Sequence, residues 1–304
     1  MEDRVTIGKI AIIGFGEVGV ALAADLVARN DAAIAAYDLR FDDAASPPSL
    51  AIAAARAERA ATPIACVADA DLVISAVTAA SAIDAAGAAA GALKAGAWWF
   101  DVNSASPASK RSAAAIINSA GGRYVEASVM APINPQRMGA PILLGGPHAR
   151  EFEKIARGLG FSSAAFYAAE PGKTAAAKLC RSVVVKGMEA LITESLLAAE
   201  HYGVVDEVIA SLANLFPHPD WRRHASYMIS RTLEHGTRRA EEMLEASRTV
   251  ADSGADPWMS NATIMRQSFA GALDVRADAK DLADLLRAVR AGTATRNREL
   301  ERAT

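Results

Sequence analysis

The stretch Ile10-Ala-Ile-Ile-Gly14-Phe15-Gly16-Glu17-Val18-Gly19 decides how this chain reads. An apolar run suited to a buried strand gives way to Gly-x-Gly-x-x-Gly, and helix-forming residues follow from Glu17 onward. Asp38 closes the next apolar run, nineteen residues after Gly19. Strand, glycine loop, helix and downstream acid in that order predict a dinucleotide cradle. Gly14 allows the tight turn, Gly16 lets the backbone approach a pyrophosphate, and Gly19 permits close packing of helix on sheet. Phe15, Glu17 and Val18 complete a loop whose N–H groups, at a helix start, attract diphosphate charge. A glycine-rich turn without function explains the glycines alone, but not the strand, helix and acid in register with them.

Asp38 is placed to accept hydrogen bonds from ribose hydroxyls, and its charge would repel a 2′-phosphate, which argues for NAD over NADP. Arg40 keeps NADP open, since a guanidinium two residues further on can fold over a 2′-phosphate. A solvated surface arginine is the plainer reading of the same residue.

Working outward, short apolar runs alternate with helix-length stretches as far as Phe166, the pattern of a parallel sheet wound with helices on both faces. The strand candidates are Lys9–Ile13, Ile34–Asp38, Pro63–Val67, Leu72–Val77, Trp98–Val102, Tyr124–Val129, Ile142–Gly145 and Ser163–Phe166. Ser106 and Pro107 predict a helix start, and Gly121-Gly122 its stop. After Pro171-Gly172 the strand pattern ends, and one long helix is predicted from Thr174 to about His201, stopped by Gly203. The remainder reads as helical: Asp220 caps one segment, Gly254 closes the next, Asp256-Pro257 opens another, and Asp278 begins a last one with a charged tail after Gly292. The expected architecture is α/β, with a Rossmann domain over 1–168 and an all-helical substrate and dimerisation domain over 169–304.

The 304 residues suffice for two cores. A net charge of −3 speaks against a nucleic-acid partner, and no run of about eighteen apolar residues predicts a membrane span. The start, Met1 to Arg4, leads into a strand without the apolar core of a secretion signal. Cys66 and Cys180 lie far apart with no metal-ligand spacing, so neither a disulfide framework nor a metal is expected, and a reducing cytoplasm fits.

Several segments in sequence order resemble the β-hydroxyacid dehydrogenase family, which includes 3-hydroxyisobutyrate dehydrogenase and is related to 6-phosphogluconate dehydrogenase. Gly14–Gly19 is similar to its cofactor loop, and Asp101-Val-Asn103-Ser104-Ala-Ser-Pro107 to its Asp-x-Ser-Thr-x-x-Pro segment. Gly139-Ala-Pro-Ile-Leu-Leu-Gly145-Gly146 resembles its Gly-x-Leu-x-x-x-x-Gly-Gly strand, and Lys280-Asp281-Leu282 a later Lys-Asp-Leu segment. Gly172-Lys-Thr-Ala-Ala-Ala-Lys178-Leu aligns with the start of the family's interdomain helix and places Lys178 on its catalytic lysine. The region around His235, Arg238, Arg239 and Glu242 resembles a branch of the superfamily whose second domain has no assigned function.

The resemblance implies reversible oxidation of an alcohol by a nicotinamide cofactor, Lys178 exchanging the hydroxyl proton. Such a lysine works when burial or nearby positive charge favours its neutral form. Arg181 and Ser182, at i+3 and i+4, share its helix face, whereas a lysine taken alone is usually a solvated surface group. Asn103 and Ser104 would orient the substrate, and Val77 and Thr78 would flank the dinucleotide. A homodimer through the helical domain is implied as well.

Two departures bear on the substrate. Ser182 stands where the family usually has asparagine, and Met130-Ala131-Pro132 replaces its Ser-Gly-Gly. Met130 and Pro132 bring apolar bulk where the family offers a hydroxyl and N–H groups, which points to a larger or less acidic substrate. An imine reductase of the same plan and a dinucleotide sensor without turnover stay open. Lys186 is a secondary candidate among apolar neighbours, and the charges at His235, Arg238, Arg239 and Glu242 fit a salt-bridged helix surface.

Overall fold

The computed structural model describes residues 7–29, 31–131, 133–217, 220–275 and 281–303. Pro132, Asp278, Lys280 and the first residues Met1 to Arg4 lie outside the described residues. The chain forms two compact units, Met1–Lys178 and Leu179–Thr304.

The first unit opens with β1 (Lys9–Ile13), α1 (Glu17–Arg29), β2 (Ala33–Tyr37), α2 (Pro47–Ala54), β3 (Glu58–Arg59), α3 (Pro63–Val67), β4 (Leu72–Ser75) and α4 (Ala82–Ala90). It continues through β5 (Trp98–Asp101), α5 (Pro107–Ser119), β6 (Arg123–Val129), β7 (Ile142–Gly145), α6 (Ala149–Leu159) and β8 (Ala164–Ala168). The strands form one sheet in the order β3-β2-β1-β4-β5-β6-β7-β8. Strand side chains alternate between the two faces. Ile10, Ile12, Ile74 and Phe100 pack with Leu22 and Leu26 of α1 and Phe152 of α6. Ala11, Ile13, Val73 and Trp99 pack with Cys66 of α3, Ala86 of α4 and Ile117 of α5. Helices thus cover both faces, the doubly wound arrangement the sequence predicts.

Most strands fall within a residue or two of their expected limits. Pro63–Val67 is a correction: it is the helix α3. The Thr62 side chain accepts the Ala65 N–H at 3.1 Å and Pro63 occupies the first turn, so the capping chemistry outweighs a short apolar run that fits either element. The edge strand pairing with β2 is instead Glu58–Arg59. The sheet is also not wholly parallel, because β7 pairs antiparallel to β6. Among its described residues the connection between them carries no α-helix, and the chain turns back instead of crossing over.

The long helix α7 (Lys173–Tyr202) starts in the first unit and continues in the second, which holds α8 (Val205–Leu215), α9 (Trp221–Asp252), α10 (Trp258–Gly271) and α11 (Leu282–Ala303). Asp220 caps α9 by accepting the Arg223 N–H at 3.0 Å. Leu196, Ile229, Leu273, Leu285, Leu286 and Val289 form the main apolar core of this unit. The expected tail after Gly292 is helix as far as Ala303. A Cβ on Gly292 would come within 2.5 Å of Val275 Cγ2, so this glycine allows close packing and does not stop the helix.

Candidate active site

The loop between β1 and α1 is built by backbone geometry that side chains would forbid. Gly14 has a φ of +92° and donates its N–H to Tyr37 O at 2.8 Å. A Cβ there would strike the Ala76 carbonyl, and one on Gly19 would strike the carbonyl oxygen of Gly14. Gly16 differs, since a Cβ on it would meet nothing within 4 Å. Its backbone faces open space, as the approach of a diphosphate requires. Phe15 is buried, Val18 is half-buried and Glu17 exposed.

Beside the loop lies a cavity of about 490 Å³, bordered by Gly14, Gly16, Asp38, Arg40, Val77 and Thr78. Six of the residues expected to hold the cofactor are therefore brought together. Glu17, with Phe15, Gly16 and Arg40, borders a separate cleft of about 580 Å³. Asp38 Oδ2 accepts the Phe15 N–H at 2.8 Å and Oδ1 the Arg40 N–H at 2.9 Å. The Arg40 guanidinium stands 3.8 Å from Oδ1, its side chain largely exposed. Open backbone at Gly16, an acid at the end of β2 and a cavity joining them fit a dinucleotide. Pro63 and Asp84 also border this cavity and were missed. Pro63 was hidden by the strand reading, and nothing in the sequence around Asp84 marks it.

At the end of β5 the segment expected to meet substrate divides into two roles. Asn103 is buried; its side-chain oxygen accepts the Val77 N–H at 2.7 Å and its amide donates to Ser75 Oγ at 2.9 Å. These bonds make it a brace for the cavity wall at Val77. Ser104 instead receives the Lys178 side chain, whose Nζ donates to Ser104 Oγ at 2.7 Å. Behind them Asp101 is buried, accepting from Lys110 Nζ at 2.8 Å, the Asn103 N–H at 3.0 Å and the Tyr124 hydroxyl at 2.7 Å. Burial, followed by the charge of Asp101, pushes the Tyr124 hydroxyl well above its usual range, so it stays a donor. Met130 is half-buried, and its N–H donates to Pro141 O at 2.9 Å.

In the second unit Arg181 is exposed and Ser182 buried, its hydroxyl accepting from Lys186 Nζ at 3.3 Å. Lys186 also pairs with Glu242, to which Arg238 is bonded in turn, and Arg239 pairs with Glu189. Arg238 is exposed and its i,i+4 pair with Glu242 is the salt-bridged helix surface the sequence suggests, whereas Arg239 is buried against Glu189 and departs from it. His235 bonds Arg231 at 2.5 Å, and burial with Arg231 beside it holds its imidazole below the usual histidine range.

Among the described residues no helix is long and apolar enough to cross a membrane. The family model for the NAD binding domain of 6-phosphogluconate dehydrogenase matches residues 9–168. A domain of unknown function, DUF1932, matches residues 199–269. No curated protein matches the chain. Among solved structures, a conserved hypothetical protein from Sinorhizobium meliloti 1021 is 35% identical, with a TM-score of 0.74 and coverage of 95% of this chain and 98% of that one. The conserved protein MTH1747, of unknown function and described as structurally similar to 3-hydroxyacid dehydrogenases, is 26% identical, with a TM-score of 0.68 over 93% and 98% of the two chains. A Mycobacterium tuberculosis 3-hydroxyisobutyrate dehydrogenase with L-serine shares the fold at 20% identity, with a TM-score of 0.68 over 94% and 99%.

Proposed function

The chain belongs to the family of the NAD-binding domain of 6-phosphogluconate dehydrogenase, and from that premise we propose that it is a dehydrogenase acting on the CH–OH group of a hydroxyacid-like or larger alcohol. The observation that carries this reading is the 2.7 Å contact between Lys178 Nζ and Ser104 Oγ. It supports a proton carrier and a hydroxyl held together next to the strand ends where such folds keep their substrates.

A bound nicotinamide supplies hydride transfer. The chain's own residues hold and orient. Gly14, Gly16 and Asp38 grip the dinucleotide, Asn103 fixes the Val77 wall beside it, and Ser104 orients the Lys178 amine, which exchanges the proton of the substrate hydroxyl. Asp38 favours NAD, while Arg40 is the residue through which NADP would be accommodated. The half-buried Met130 supports a substrate with an apolar portion. The division of labour we propose gives the dinucleotide to residues 1–168 and substrate recognition and subunit pairing to 169–304. Exposure of Val184, Met188 and Leu191 along α7 supports a homodimer.

The test is NAD- and NADP-dependent turnover of pooled β-hydroxyacids, alkyl and aryl alcohols and sugar acids, with cyclic imines in the reductive direction. Oxidation of an alcohol supports the reading. Reduction of imines alone, or tight dinucleotide binding with no turnover of any class, overturns it.

A further inference from the structure

We propose that Glu126 is the positioning residue for Lys178, a buried carboxylate that seats the first turn of α7 so that the amine meets Ser104. This rests on the role given to Lys178 above. Glu126 lies on β6 and is fully buried. Its Oε2 accepts the Gly172 N–H at 2.5 Å and its Oε1 the Ala175 N–H at 2.7 Å. A helix start leaves N–H groups without intrahelical partners and concentrates positive partial charge, so one carboxylate answers both. The usual cap is a residue at the helix start itself, but here it is delivered from a strand 46 residues earlier than Gly172. That ties the position of α7 to the sheet.

The tie reaches Lys178 directly. Thr174 and Ala175 precede it by four and three residues, so all three share one face of the helix. Thr174 is buried and its hydroxyl meets Ser128 Oγ at 2.9 Å, a second link to β6. Gly145 of β7 leaves room for both, since a Cβ there would lie 2.9 Å from Thr174 Cγ2 and 3.0 Å from Glu126 Oε2. On the facing side, Ser104 follows Asp101, whose register partner across β5 and β6 is Glu126. Two buried carboxylates on adjacent strands therefore hold the two halves of the contact: Asp101 braces the turn carrying the hydroxyl, and Glu126 the helix carrying the amine. A shift of about 1 Å in such a constellation costs on the order of a hundredfold in rate.

The experiment compares Glu126→Gln, which keeps the shape but turns an amide donor toward one of the two N–H groups, with Glu126→Asp, which withdraws both oxygens by one methylene. At least about tenfold loss of kcat is expected in either folded variant, with dinucleotide Kd held within about twofold. Combining Glu126→Gln with Lys178→Met should cost nothing beyond Lys178→Met alone, because both act through one amine. A second full loss in the double variant, or wild-type kcat in the singles, overturns the proposal.

An activity-independent readout accompanies these rates: reductive methylation of each lysine, followed by mass spectrometry. Lys178 reactivity should change by about threefold or more in the Glu126 variants, with the other lysines unchanged. An unchanged Lys178 overturns the positioning role. A changed Lys178 in a protein that transfers no hydride upholds the positioning role and removes the proposed function instead.

Discussion

The Asp38 carboxylate holds the Phe15 N–H at 2.8 Å, so the acid at the end of β2 shapes the glycine loop as well as facing the cavity. Removing it with Asp38→Ala takes away a charge-assisted bond to the loop and the acceptor for ribose. NAD affinity should fall by about tenfold or more, the scale of one hydrogen bond to a charged group. Arg40→Ala should leave NAD binding within about twofold and weaken NADP by removing the guanidinium that meets a 2′-phosphate. Titrations with both dinucleotides read this; wild-type NAD affinity in Asp38→Ala would remove Asp38 as the cofactor reader.

The Arg239 and Glu189 pair predicts a stability effect with a definite pH sign. Burial, countered first by Arg239, raises the Glu189 carboxyl above its usual range. The folded chain therefore retains this proton to higher pH than the unfolded chain does. The contribution of Glu189 to stability is fullest below the ordinary glutamate range and declines as pH rises through the raised value. Arg239→Met deepens the decline by removing the ion-pair partner and leaving Gln267 as the remaining hydrogen-bond donor, at a cost of about 3–5 kcal/mol near neutrality. The deficit should shrink in acid. Thermal unfolding against pH checks this, and a deficit independent of pH would contradict it.

Gly236 and Gly187 are expected to respond oppositely to alanine. A Cβ on Gly236 would strike the Gln267 carbonyl and the Gly271 backbone where α9 crosses α10, whereas one on Gly187 meets only Thr263 Oγ1, at 3.9 Å. Gly236→Ala should cost about 1–3 kcal/mol through overpacking. Gly187→Ala should gain up to about 1 kcal/mol from helix propensity. Denaturant unfolding of both variants decides, and equal responses would contradict the close crossing.

The two thiols should separate cleanly. Burial pushes the Cys66 thiol up to about 12, while Cys180 is exposed. A thiol reagent should modify one cysteine in the folded chain at neutral pH, and Cys180→Ser should abolish that reaction. Modification of Cys66 without unfolding would contradict its burial.

What could be read from the sequence follows from how locally each feature is encoded. The glycine loop was legible because Gly14, Gly16 and Gly19 answer to one turn and one helix start, within ten residues of strand and loop. Ser106 with Pro107, and Asp220, announced their helices for the same reason. Thr62 with Pro63 carried the same signal, but the apolar run after it reads equally as a strand. The brace made by Asn103 was not visible, since its partners Ser75 and Val77 lie 28 and 26 residues away. The role of Glu126 is not legible in the sequence either: its partners stand beyond β7, α6 and β8, and only the sheet order brings β6 to the start of α7. The pairing of Arg239 with Glu189 spans 50 residues, so one charge of a run that reads as a solvated helix face in sequence is interior in the fold.

The central claim is that Lys178 carries the proton in a hydride-transfer reaction, and a comparison of kcat between wild type and a folded Lys178→Met variant tests it most directly. The expected result is that the variant binds dinucleotide as tightly as wild type and loses a factor of about 10² to 10⁴ in turnover, the scale of general acid and base catalysis. Undiminished turnover in the variant would contradict the claim and take Lys178 out of the chemistry.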